Sequence, residues 1–321
     1  MQPEERFTVF IPEPFPEQSL RVLDARFEVR QGRAGAAYTE DELVGLLADV
    51  DAVAINSRDP LTARVIESSR RLKVIAKAGS KPTSNVDLAA AEHCGVRVIW
   101  TPGANTVSVA ERTLALILTV VKRLPELAAH LKRGGWRSYE LLGGELAGKT
   151  LGLVGLGAVG REVARLFQAF GGHVLGHDPG VAAATAAGLG IRHLDLPEIL
   201  ASSDILSLHC EMNPQTAGLV NRKTLAAMKP GAVLVNTARG GLVDEEALLE
   251  ALNAGRLSAA ALDVFAKEPI PKDHPLLGHP RVFAVPHVSA FTHEASFRET
   301  SWALEDAGRV LAGLEPRHLR P

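Results

Sequence analysis

Short apolar runs recur along the chain, separated by segments long enough to hold a helix. They predict strands at Thr8–Ile11, Ala52–Ile55, Val74–Ala76, Val96–Trp100, Thr150–Val154, His173–His177, Ile205–His209, Ala232–Asn236, Ala259–Asp263 and Val282–Val285. Several are apolar throughout instead of alternating, the pattern of parallel strands covered on both faces. Strand–helix alternation over the whole length predicts an α/β fold with parallel sheets. From Thr106 to Arg123, apolar Val107, Ala110, Leu114, Leu118 and Val121 fall at three- and four-residue spacings and predict a long helix. Thr101-Pro102-Gly103 before it reads as a turn and a first domain crossing. Lys132–Gly148, which includes Arg133-Gly134-Gly135-Trp136, reads as an extended loop.

At 321 residues the chain exceeds what one core usually carries, so two domains are expected. With 46% hydrophobic and 22% charged residues it has the composition of a soluble globule. Lys and Arg number 35 against 37 Asp and Glu, a balance that leaves no electrostatic footprint for nucleic acid or an anionic membrane. The longest apolar stretch, near 114–121, is interrupted by Thr119 and falls far short of the roughly 20 residues a bilayer requires. MQPEERFTVF carries two glutamates and no apolar core, so no signal peptide is expected. Cys94 and Cys210 suggest neither a disulfide framework nor a metal site. These features predict a cytoplasmic protein.

Gly155-Leu156-Gly157-Ala158-Val159-Gly160 matches G-x-G-x-x-G, a weak signal alone. Its context strengthens it: an apolar strand runs straight into it, a helix with Val163, Leu166, Phe167 and Phe170 follows, and a second strand then ends on Asp178. Each part has a mechanical reason in dinucleotide binding. Gly155 permits a tight turn, Gly157 lets backbone N–H groups approach a pyrophosphate, and Gly160 lets helix and strand pack closely. Asp178 is placed to accept hydrogen bonds from both ribose hydroxyls and to repel a 2′-phosphate, which predicts NAD as cofactor.

Polar residues follow three later strands, where open α/β sheets bind ligands. Ala232–Asn236 leads into Thr237-Ala238-Arg239-Gly240-Gly241, Ala259–Asp263 leads to Glu268-Pro269, and Val282–Val285 leads into Pro286-His287. Hydride transfer at C2 of a 2-hydroxy acid uses a guanidinium to hold the carboxylate and polarise the carbonyl. It also uses an imidazole to exchange the hydroxyl proton, and a carboxylate behind it to orient the ring and favour its charged form. Taken singly, Arg239 also fits a helix-capping residue, Glu268 a turn residue, and His287 a solvated histidine.

The chain resembles the D-isomer-specific 2-hydroxyacid dehydrogenases, from about Leu72 to Thr292. The resemblance is carried by 101–111 (TPGANTVSVAE), by 148–154 (GKTLGLV) with the glycine motif after it, and by 236–244 (NTARGGLVD). Leu262-Asp263-Val264-Phe265 with Glu268-Pro269, and Pro286-His287, complete it. It implies a catalytic set of Arg239, Glu268 and His287. It implies cofactor contacts from Thr106, Ala158, Val159, Cys210, Thr237, Ala238, Ser289 and Ala290 beside the glycines and Asp178, with Asp263 on the nicotinamide carboxamide and Ser80 approaching from the other domain. It further implies substrate binding by Gly79, Ser80 and Lys81 with Arg239 and His287. The implied fold interleaves a flavodoxin-like substrate domain, residues 1–101 plus 292–321, with a Rossmann domain at 102–291. The helix from Thr106 and the loop around Trp136 resemble dimerisation elements, so a homodimer is expected. Because the sequence stops at Pro321, the regulatory domains of longer phosphoglycerate dehydrogenases are expected to be absent.

The departures bear on substrate. Gly79-Ser80-Lys81-Pro82-Thr83-Ser84-Asn85 is one residue longer than the usual Gly-x-Gly-x-Asp-Asn loop, lacks its second glycine and has Ser84 for the aspartate. Glu211 stands where a proline is common, and Ser289-Ala290-Phe291 follows the histidine. An NAD-sensing binding protein of corepressor type and a phosphonate dehydrogenase remain as alternatives.

Overall fold

The computed structural model describes residues 6–318 apart from 57, 81 and 84. Its strands are β1 Phe7–Ile11, β2 Phe27–Gln31, β3 Ala52–Ile55, β4 Val74–Lys77, β5 Arg97–Trp100, β6 Thr150–Val154, β7 His173–His177, β8 Ile191–His193, β9 Ile205–Leu208, β10 Ala232–Asn236, β11 Leu257–Leu262 and β12 Val282–Ala284. The chain divides into two compact units, Met1–Asn105 with Phe291–Pro321, and Thr106–Ala290. The α/β class with two parallel sheets is as the apolar runs predict.

In the first unit a five-stranded parallel sheet runs β2-β1-β3-β4-β5. Its central strands β1, β3 and β4 are buried along their whole length. One face packs Leu43, Leu47, Val65 and Ile66 from two helices. The other packs Ala303, Leu304 and Ala307 from the helix His293–Leu311.

In the second unit seven parallel strands run β12-β11-β10-β9-β6-β7-β8. Chain order therefore reverses between β6 and β9, and connections leave that point in opposite directions. Such a switch point opens a crevice beyond the strand ends. Val163, Ala164 and Phe167 of the helix Ala158–Ala169 and Ala110, Leu114 and Ile117 of the helix Thr106–Val121 cover one face. Phe167 is fully buried, and truncating such a side chain costs about 3–5 kcal/mol.

Three expectations need correction. The predicted 106–123 helix ends at Val121, because Arg123 takes a left-handed conformation (φ 55°) and Pro125 starts a second helix, Leu124–Lys132. The loop after it contains a short 3₁₀ turn, Tyr139–Leu141. On the first helix Val107 is exposed, while Ala110, Thr113, Leu114 and Ile117 face the core. A helix apolar on nearly every side has no single stripe for periodicity to pick out. Among the described residues no helix is long and apolar enough to cross a membrane.

Candidate functional site

The glycine turn joins β6 to the helix Ala158–Ala169 at the switch point. Gly155 has φ +99°, and a Cβ there would fall 2.5 Å from the His209 carbonyl carbon and 2.6 Å from the Cys210 nitrogen. Only glycine combines that backbone conformation with so close an approach. A Cβ on Gly160 would sit 2.2 Å from the Gly155 oxygen, so the helix rests directly on the turn. Gly157 is different: a Cβ there meets nothing within 4 Å, and Gly157 and Ala158 are exposed. The open side of the turn thus lies at the start of a helix whose first N–H groups have no partner within it, the arrangement that receives a phosphate. Val159 lies in that same first turn, partly buried.

Asp178 follows β7. Its Oδ2 accepts the Leu156 N–H at 2.8 Å and its Oδ1 the Gly180 N–H at 2.8 Å. The carboxylate is therefore held against the glycine turn, and each oxygen retains acceptor capacity for a ribose hydroxyl. Cys210, after β9, is half-buried; burial pushes its thiol up, and the Asp178 carboxylate adds to the effect. The thiol stays protonated and is a weak nucleophile. Burial pushes His209 down to about 4, and its Nε2 lies 2.8 Å from Ser207 Oγ, so this ring is neutral near pH 7.

Arg239, Asp263 and His287 follow the ends of β10, β11 and β12, three adjacent parallel strands. Sequence reasoning missed Asn236, which is buried at the end of β10. Its Oδ1 accepts the Ala238 N–H at 3.1 Å and its Nδ2 donates to the Arg239 carbonyl at 2.9 Å, bracing the turn beneath the guanidinium. A lone amide closing an otherwise apolar strand was the available signal. Thr237 is buried, its hydroxyl 2.9 Å from that of Thr113. Arg239 is exposed, and among the described residues its guanidinium makes one polar contact, Nη1 to the Ala238 carbonyl at 2.6 Å.

Asp263 is fully buried. Its oxygens accept the N–H groups of Val288 and Ser289 at 2.7 and 2.9 Å. Between them and the strand, His287 adopts φ 53°, a left-handed conformation costing roughly 1–2 kcal/mol for a residue with a Cβ. Its own N–H reaches the Asp263 carbonyl at 2.8 Å, so one aspartate secures both sides of the turn. The imidazole Nδ1 lies 2.6 Å from Glu268 Oε2, and Glu268 Oε1 accepts the Phe265 N–H at 2.9 Å. The side chains are 51% and 34% exposed. With Nδ1 committed to Glu268, the remaining ring nitrogen, Nε2, is available for proton exchange.

Ser289 Oγ is buried with no hydrogen-bond partner among the described residues, and Ala290 beside it is partly buried. A buried hydroxyl without a partner costs about 1–3 kcal/mol and marks a place where a polar group from elsewhere completes the structure. With the open glycine turn, this orphaned hydroxyl fits a dinucleotide bearing an amide. In the first unit, Gly79 (φ +98°) follows β4 and its N–H donates to Thr101 Oγ1 at 2.7 Å; Ser80 is exposed. Thr106 opens the helix of the second unit, and Lys81 lies outside the described residues.

Residues 114–289 match the model of the D-isomer specific 2-hydroxyacid dehydrogenase, NAD binding domain. The chain belongs to this family. It is 38% identical over 306 residues to D-3-phosphoglycerate dehydrogenase of Methanocaldococcus jannaschii, covering 95% of this chain and 57% of that protein. To D-3-phosphoglycerate dehydrogenase of Homo sapiens it is 42% identical over 260 residues, 81% of this chain and 48% of that one. It thus spans about half the length of these relatives. Among solved structures, a protein from Thermus thermophilus has a TM-score of 0.90 at 38% identity, covering 98% of this chain and 100% of its own. A glyoxylate reductase from Paecilomyes thermophila has a TM-score of 0.86 at 27% identity, covering 98% of both chains. The matched span is the family's NAD binding domain, so the nucleotide fold of this chain serves NAD.

Proposed function

We propose that the protein is an NAD-dependent oxidoreductase acting at C2 of small D-2-hydroxy and 2-oxo acids. The observation that carries this reading is the Glu268–His287 pair, a carboxylate bonded to one nitrogen of an exposed imidazole at the end of β12. NADH, when bound, supplies the hydride. His287 Nε2 delivers the proton to the carbonyl oxygen during reduction and takes it from the hydroxyl during oxidation. Glu268, bonded to Nδ1, orients the ring and leaves Nε2 facing the substrate. Arg239 holds the substrate carboxylate and draws electron density toward the carbonyl oxygen. The glycine turn and Asp178 would hold the pyrophosphate and adenosine ribose, and the Ser289 hydroxyl, on the turn that Asp263 braces, would meet the carboxamide.

The test is a screen of glyoxylate, hydroxypyruvate, phosphohydroxypyruvate and bulkier 2-oxo acids with NADH. Turnover of at least one is expected; NADH binding with no turnover of any would favour the sensing reading. NADPH should serve far less well, because a 2′-phosphate at Asp178 meets a carboxylate. Equal kcat/KM with both cofactors would overturn the assignment of Asp178.

The same reading includes a homodimer built on the second unit. Leu131, Trp136, Tyr139 and Leu142 are 59–86% exposed in one arm, a concentration of apolar surface unusual in a monomer. Near the arm lies a groove of about 620 Å³ lined in part by Val120, Val121, Leu142 and Phe283. Sedimentation at micromolar concentration should give twice the chain mass, and Trp136→Ala with Tyr139→Ala should lower it.

A further inference from the structure

Glu245 and His274 lie off the strand ends and have no part in the chemistry above. Glu245 is the first residue of the helix Glu245–Asn253, capped by Asp244. An acidic side chain in a first turn is favoured by the helix dipole and ordinarily faces water. Here it folds back against the loop that follows β11. Its Oε1 accepts the Ala266 N–H at 2.8 Å, and its Oε2 lies 3.3 Å from His274 Nε2. The two side chains are 17% and 23% exposed. His274 caps its own short helix, Nδ1 accepting the Leu276 N–H at 3.4 Å. That acceptor role leaves the ring proton on Nε2, the nitrogen nearer Glu245.

The pinned loop is the one that carries Glu268. Within it, Phe265 N–H bonds to Glu268 Oε1 and the adjacent Ala266 N–H bonds to Glu245, so two glutamates hold two consecutive amides. The arginine turn rests on the same two residues: a Cβ on Gly240 would lie 1.8 Å from the Phe265 carbonyl carbon and 2.4 Å from the Ala266 nitrogen. A shift of this backbone therefore moves Glu268 directly and presses on the residue next to Arg239. We infer that Glu245, locked by His274, is a positioning residue that sets Glu268, and through it the His287 ring, in the arrangement needed for proton transfer. The inference rests on the reading of Glu268 and His287 as the proton-transfer pair.

Glu245→Ala leaves the Ala266 amide without its acceptor and should lower kcat for 2-oxo acid reduction roughly 10- to 100-fold, with the NADH dissociation constant unchanged. Glu245→Gln keeps an acceptor oxygen and should recover most of the loss. The deciding comparison is a double-mutant cycle with Glu268→Ala. If Glu245 acts through Glu268, removing it from the Glu268→Ala protein changes kcat by less than twofold. Losses that multiply in full would overturn the inference. A second readout needs no activity: amide exchange of a peptide spanning 264–268 should quicken at least tenfold in Glu245→Ala, while peptides from β10 and β12 keep their protection. Unchanged exchange in the loop would overturn the clamp by itself, even if no 2-oxo acid were turned over and the functional reading failed. Should Glu245→Ala not fold, His274→Gln and Glu245→Gln, followed by the same exchange measurement, decide the question.

Discussion

Each unit of the molecule brings a basic side chain and a glutamate together near the end of one parallel strand, and the two sites have opposite surroundings. In the second unit Glu268 and His287 are bonded at 2.6 Å and remain open to solvent. In the first, Lys77 ends β4 at 3% exposure, and its Nζ donates to the Ala78 carbonyl at 2.7 Å. Burial pushes this ammonium down to about 8, with Glu299 acting in the other direction. Glu299 is itself pushed up by burial, against the Asn105 amide that donates to its Oε1 at 2.8 Å. Both charges converge on Gly79: a Cβ there would lie 3.2 Å from Glu299 Oε1 and 3.8 Å from Lys77 Nζ. Residue type does not separate the two sites, since each sets a basic side chain near a carboxylate. Access to water and substrate does. The open pair is accessible for proton exchange, whereas Lys77 and Glu299 lie against the turn at Gly79 and carry a standing desolvation cost.

That contrast is broken most directly at the open pair. His287→Ala should lower kcat by roughly 10²–10⁴-fold without altering the fold, measured at saturating 2-oxo acid and NADH with circular dichroism as the control. A near-normal kcat would remove the distinction drawn here.

The closed pair should announce itself in stability. Below pH 8 Lys77 is charged both folded and unfolded, and its burial is a constant penalty. As pH rises from about 8 toward 10.5 the folded protein releases this proton while the unfolded chain keeps it, so stability rises. The gain is about 3 kcal/mol across that window. Urea unfolding at pH 7.5 and pH 10 should show it as a difference between the parent and Lys77→Met, which lacks the titrating group. Parallel pH dependence in the two proteins would mean that Lys77 is not held in its charged form at a cost.

The smallest effect concerns Ser289, whose hydroxyl is buried like Lys77 but has no partner among the described residues. Ser289→Ala should leave the free protein equally stable or up to about 1 kcal/mol more stable. It should weaken NADH binding by about fivefold, a direct titration of cofactor fluorescence being the measurement. Loss of stability in the free protein would show that the hydroxyl is already satisfied.

Legibility followed burial. The strands that periodicity missed, Phe27–Gln31 and Ile191–His193, are the edges β2 and β8. With one neighbour each, and with Arg192 and most of Phe27-Glu28-Val29-Arg30-Gln31 reaching solvent, they need no continuous apolar run. The helix Leu124–Lys132 has no buried residue and was hidden for the same reason. In the candidate site, Gly155 and Gly160 were readable because backbone geometry forbids a side chain there, and Arg239, Glu268 and His287 because they follow apolar strands. Glu245 and His274 carry no such mark. Their partners lie in other turns and loops, and nothing local to each residue distinguishes a carboxylate that braces a loop from one that faces water.

By itself, then, the sequence determined the strand–helix alternation, the parallel sheets and the positions at which only glycine fits. These depend on hydrophobic period and backbone sterics, which act over a few residues. Tertiary structure alone decided that β6 pairs with β9, which creates the switch point, and that Lys77 is buried while His287 is open. It also decided that Glu245 turns inward to Ala266. Each of these depends on which distant segments pack together, and the desolvation and hydrogen-bond energies that assign a charged residue its role arise only once they do.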